Sequence, residues 1–180
     1  MIDGDQISEF ETATKYQEAF LSTKSEWDKG KRDLSICLNL GFISWYLSVE
    51  SGNTFITQGL NDNDYEIIEL TLSEVTEEGI RNFSTETQFL LIFGYMITLF
   101  PHHFGDYEYW ESIGKNMLSK AYELEPSDPI IEMVFLADNM RSEGYRNACL
   151  RSKEHIKEHI KDRFKNKGLM DKYFQDVFDR

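Results

Sequence analysis

Apolar residues recur along most of this chain at three- and four-residue steps, the spacing that builds one buried stripe on an α-helix. Residues 5–23 repeat apolar groups at Ile7, Phe10, Tyr16 and Phe20 or Leu21, with acidic residues in the first turn, which predicts a helix. From Trp27 to Val49 the pattern is apolar nearly all round, as expected of a central helix packed on both sides and ended by Ser51-Gly52-Asn53. Residues 53–63, with Gly59 and Asn61-Asp62-Asn63, read as a loop. Tyr65 to Gly79 is rich in β-branched residues. Its glutamates Glu66, Glu69 and Glu74 alternate with Ile67, Ile68, Leu70, Leu72 and Val75 at helical spacing, so a helix closed by Gly79 is predicted.

Thr85 and Gln88 stand three apart, a capping-box spacing, before the apolar run Phe89–Phe100 that stops at Pro101. Phe104-Gly105-Asp106 breaks the chain. Tyr107–Leu124 then places Trp110, Ile113, Met117, Leu118, Ala121 and Leu124 on one stripe. Pro129 suits the first turn of a helix that buries Ile130, Ile131, Val134, Phe135 and Ala137 and ends at Gly144. A long basic helix is expected from Tyr145 to about Lys165, striped by Leu150, Ile156, Ile160 and Phe164. After Gly168, a short amphipathic helix with Leu169, Tyr173, Phe174, Val177 and Phe178 should cap the core. The expected fold is all-α, about seven or eight helices in irregular antiparallel hairpins forming one domain over residues 1–180.

Two segments repeat. Leu38-Asn39-Leu40-Gly41-Phe42 lies on Leu91-Ile92-Phe93-Gly94-Tyr95, and each glycine sits inside an apolar helix, where it costs about 1 kcal/mol against alanine. Such glycines mark close helix crossings, here expected to be equivalent. Gly94-Tyr95, followed by Ala121, Tyr122, Leu124 and Pro126, resembles a tetratricopeptide-type helical hairpin. In that family a small residue on the second helix faces the first, and a proline follows in the turn. The interval is about eight residues longer than usual for the family, and the turn Pro101–Tyr109 accommodates the excess. The resemblance implies a helical array able to act as a scaffold for a peptide or protein.

Charge changes the functional picture more than the fold. The net charge is −13, with 25 acidic and 8 basic residues over 1–140 and 7 acidic and 11 basic over 141–180. An acidic body repels nucleic acid and membrane surfaces and attracts basic proteins. Cys37 and Cys149 each fall in an apolar helical pattern, which predicts two buried thiols and no disulfide. The start of the chain has no basic, apolar leader pattern. The longest apolar run is too short to span a bilayer, so a cytoplasmic location is expected.

Candidate chemistry is sparse. His155, Glu158 and His159 spell H-x-x-E-H, which on a helix could hold zinc with Glu158 as base. Lys153, Lys157 and Lys161 around it disfavour a divalent cation, and a solvated basic face is the plainer reading. His102-His103, beside Asp106 and Glu108, could meet a metal or a partner, or simply form loop surface with one ring on an aromatic. No phosphate-binding glycine loop, nucleophile elbow or C-x-x-C is present, and neither cysteine has an adjacent histidine. No enzyme, metal or cofactor is therefore expected.

The stretch Asp106, Tyr107, Glu108, Tyr109, Trp110 and Glu111 mixes aromatics with carboxylates, as interface hot spots do. Asp62, Asp64, Glu66 and Glu69 form a second acidic candidate. The plainer readings are that Tyr107 and Trp110 begin the buried stripe of their helix, and that the second group is a solvated helix start. In general character the chain is similar to immunity proteins that neutralise bacterial toxins, including those of contact-dependent growth inhibition. That resemblance implies an inhibitor whose carboxylates and aromatics engage a basic, nuclease-type toxin domain.

Overall fold

The computed structural model describes residues 15–49, 60–139, 141–151, 163–165 and 168–178. It is all-α, with no strand among the described residues. In chain order the helices are α1 (Tyr16–Asp28), α2 (Leu34–Val49), α3 (Asp62–Asn82), α4 (Thr87–Leu99), α5 (Tyr107–Leu124), α6 (Pro129–Phe135), α7 (143–151) and α8 (Leu169–Phe178). Short 3-10 turns cover Pro101–His103 and Leu136–Asn139. No helix among the described residues is long and apolar enough to cross a membrane.

As its all-round apolar pattern predicts, α2 is central: it packs against α1, α3, α4 and α8. Phe42, Ile43, Trp45 and Leu47 are buried, and Phe42 meets Phe174 of α8 with ring centroids 5.7 Å apart. One hydrophobic cluster runs from Ala19 in α1 to Phe178 in α8. The last helix covers the core as expected, with the Phe164 ring stacked on Phe174 at 5.0 Å.

Several expected boundaries are corrected by local hydrogen bonding. Trp27 belongs to α1, not to the central helix. The Gly30 N–H donates to the Trp27 carbonyl at 2.9 Å and the Lys31 N–H to the Glu26 carbonyl at 3.1 Å, the paired bonds that close a helix around a left-handed residue. Gly30 takes φ +90, and Asp33 Oδ1 then accepts from the Ile36 N–H at 3.0 Å to open α2. Asn61-Asp62-Asn63 is not loop but the start of α3. The Asn61 side chain accepts from the Asp64 N–H, and Asp64 Oδ2 accepts from the Asn61 N–H at 3.0 Å. Gly79 does not end this helix; it lies buried within it, and a Cβ there would collide with the Phe89 ring.

The Thr85–Gln88 box does not form. Glu86 is the N-cap of α4 without a side-chain cap bond, and Gln88 serves instead as acceptor for Arg163 Nη1 at 2.8 Å. Gly144 lies inside α7, because Ser142 Oγ accepts from the Tyr145 N–H at 3.0 Å and starts that helix earlier. Leu70, Leu124 and Leu150 are 64%, 47% and 63% exposed rather than inward, and Ile67 is also exposed. Cys37 is buried, Cys149 only half-buried, and neither is in a disulfide.

Gly41 and Gly94 are both close-approach points, but not equivalent ones. A Cβ at Gly41 would strike the Phe93 ring across the α2–α4 crossing. One at Gly94 would lie 2.9 Å from the Leu118 side chain and 3.3 Å from the Gly114 carbonyl of α5. The helix expected over 5–23 is described only from residue 16. The loop 53–59, the striping residues Ile156 and Ile160, and the triad His155, Glu158 and His159 lie outside the described residues.

Candidate functional site

The turn between α4 and α5 is built by four local constraints. Pro101 opens the 3-10 turn, and the His103 N–H donates to the Phe100 carbonyl at 3.2 Å. Phe104 is buried, and its ring meets Trp110 at 5.8 Å. Gly105 takes φ +139 with the indole directly above it. A Cβ there would sit 2.7 Å from Trp110 Nε1, so only glycine satisfies both the backbone and the space. Asp106 Oδ1 accepts from the Tyr109 N–H at 3.0 Å and caps α5.

This frame separates the six residues of the turn by role. Trp110 is half-buried and packs on the core, as its place on the helical stripe predicts. Asp106 is committed to the cap. Tyr107 points the other way and is 53% exposed, and Tyr109 is 61% exposed with its ring edge-on to Trp110 at 5.6 Å. Glu108 is exposed in the first turn, and Glu111 pairs with Lys115 at 3.1 Å. The part free to meet a partner is therefore Tyr107, Glu108 and Tyr109.

The second acidic segment is divided in the same way. Asp64 is half-buried and used by the capping box, while Asp62, Glu66 and Glu69 are exposed. The half-buried Tyr65 has its phenol pKa raised, first by burial and then by a hydrogen bond with Glu69. Glu69 also lies near enough to His103 to oppose the lowering of that imidazole's pKa. The topology explains the proximity. Cys37 near the start of α2 lies against Val75 and Gly79 late in α3, so the two helices run antiparallel, and α4 then runs back alongside. The start of α3, the end of α4 and the start of α5 thus come to one end of the array.

At that end the His102 and His103 rings lie against each other, centroids 4.4 Å apart and planes tilted by 38°. Both stand edge-on to Phe100, at 6.1 and 6.2 Å. The plainer sequence expectation, one ring on an aromatic, holds for both histidines. Burial first and the neighbouring His102 second lower the His103 pKa from its ordinary value. No group of three or more metal-ligating side chains occurs among the described residues. Burial foremost, then Glu78 and Asp33, push the Cys37 thiol up to about 12, which disfavours the reactive thiolate.

One functional-looking arrangement has no sequence signal. Arg163, mostly buried, donates to Gln88 Oε1 and Glu125 Oε2 at 2.8 Å each and to Asp128 Oδ2. It ties residues 163–165 to the start of α4 and to the α5–α6 turn. Only the charge imbalance between the two parts of the chain hinted that they attract. No protein-family model, curated protein or solved structure matches this chain.

Proposed function

We propose that this chain is a non-enzymatic inhibitor of the immunity type, acting in the cytoplasm. It binds a basic, nuclease-type toxin domain through the end of the array that carries Tyr107, Glu108 and Tyr109, flanked by Asp62, Glu66 and Glu69. The observation that supports this reading is the contrast within one turn of helix. Tyr107 and Tyr109 are 53% and 61% exposed, while Trp110, Gly105 and the Asp106 cap hold their backbone rigid. Exposed aromatics on a fixed frame lose little conformational entropy on binding, and surrounding carboxylates favour a cationic partner. The net charge of −13 would speed the encounter with such a partner.

The test is co-expression with a basic toxin domain encoded in the adjacent reading frame. The chain should rescue growth and bind with an association rate that falls steeply with salt. Tyr107→Ala with Tyr109→Ala should weaken binding by about 3 kcal/mol while leaving the fold intact, and unchanged affinity in that double variant would sink this choice of site. A second reading, a tetratricopeptide-like scaffold for a peptide, is favoured by the paired packing of α2 with α3 and of α4 with α5. It requires binding in a groove between hairpins that is largely insensitive to salt.

A further inference from the structure

The histidine turn sits between the two acidic segments and immediately precedes the cap that presents Tyr107 and Tyr109. We propose that the close pair His102–His103 is a proton-operated gate on this contact face: neutral, it supports binding of a basic partner, and protonated, it releases that partner. The inference rests on the partner reading above and names its regulation.

The geometry carries it. Two imidazoles with centroids 4.4 Å apart keep this contact without penalty only while at most one bears charge, because two like charges at that distance repel. The pair is held edge-on by Phe100, whose ring in turn meets Trp45 of α2 at 6.1 Å, so it cannot relax inward. The ionisable groups around it come from each neighbouring element. α3 faces it with Glu69, which opposes the lowering of the His103 pKa. The start of α5, packed against the same turn, carries Asp106, Glu108 and Glu111. The last turn of α4, Met96–Leu99, holds no ionisable group, and α2 reaches the turn through Trp45, which has none either. Acidification therefore places positive charge inside an otherwise anionic face, lowering its attraction for a cationic partner. Repulsion between the rings also loosens the turn ahead of Asp106.

The probe for binding is octalysine labelled on its α-amino group with tetramethylrhodamine, so that its own charge does not change between pH 7.5 and 5.5. At constant salt, the wild-type chain should lose about fivefold in affinity over that step. His102→Gln/His103→Gln should lose less than about twofold, and a His155→Gln/His159→Gln control should keep the wild-type drop. Retention of the full drop in the His102/His103 variant would overturn the gate. A second measurement needs no partner. The backbone amide shifts of Tyr109 and Trp110 should titrate between pH 7 and 5 in the wild type and stay flat in the double Gln variant. Flat shifts in the wild type would refute the gate even if octalysine binds. Failure of octalysine to bind at either pH would overturn the basic-partner reading and the gate that rests on it, whereas binding with an undiminished drop in the double Gln variant overturns the gate alone.

Discussion

Single residues decide how closely the helices approach. The glycines at 41 and 94 are legible as close-packing points from their place in apolar helices, but their partners are not. Gly41 admits the Phe93 ring, so Gly41→Ala should push that ring aside and destabilise the fold by about 1–3 kcal/mol, read from the urea midpoint. Adding Phe93→Leu should recover part of the loss, because the smaller side chain vacates the space a Cβ needs. Gly79 shows the converse error: near an apparent helix end it reads as a stop, yet it is the seat of Phe89. Cys37 is legible as a buried thiol. With its pKa pushed up to about 12, it should resist iodoacetamide at pH 8 in the native protein and react once denaturant is added. Within the aromatic turn, helical spacing predicted Trp110 inward. For Tyr107 the two readings, buried stripe or partner-facing ring, stayed open, and the structure leaves that ring 53% exposed.

At the scale of elements, boundaries are set by caps, and caps that use common polar residues are the hardest to read. The range of α5, Tyr107–Leu124, is fully legible because a glycine–aspartate break precedes it and Glu125-Pro126 follows. The start of α3 is not, since Asn61-Asp62-Asn63 suits a loop as well as a cap. Asn61→Ala should cost about 1 kcal/mol, measurable as a lower Tm. Asp128 carries two duties on its two oxygens: Oδ1 caps α6 through the Ile130 and Ile131 N–H groups, and Oδ2 receives Arg163. Asp128→Asn keeps the cap and weakens the ion pair, at about 1 kcal/mol, whereas Asp128→Ala removes both and should cost about 2–3 kcal/mol. No loss in Asp128→Asn would show that Arg163 contributes nothing through this residue.

For the whole molecule, charge and pH act together. Burial lowers the His103 pKa below the unfolded value of 6.5, so the unfolded chain takes up that proton more readily. The corresponding stability is fully present above about pH 6.5 and is lost as the pH falls from there through the lower folded value. Glu26 acts in a lower window. Its hydrogen bond from Lys29 lowers its pKa below 4.5, so its contribution is present above that value and disappears as the pH falls through the folded one. A plot of Tm against pH should therefore fall in two stages, and His103→Gln should abolish the upper stage alone. The basic part of the chain is not a free arm where it is described: Arg151 pairs with Glu132, and Arg163 with Glu125 and Asp128.

By itself the sequence determined the helical class, the central role of α2, the turn at Pro101 and the covering role of α8. Each follows from local spacing, from proline geometry or from a helix apolar on every side. Only the tertiary structure decided which acidic residues share an end of the array, which tyrosines face outward, and that His102 and His103 stand between them. Those relations join residues more than thirty positions apart, such as Glu69 and His103. Local periodicity says which face of a helix is apolar but not which neighbour covers it, so contacts of that range arise only when the helices pack.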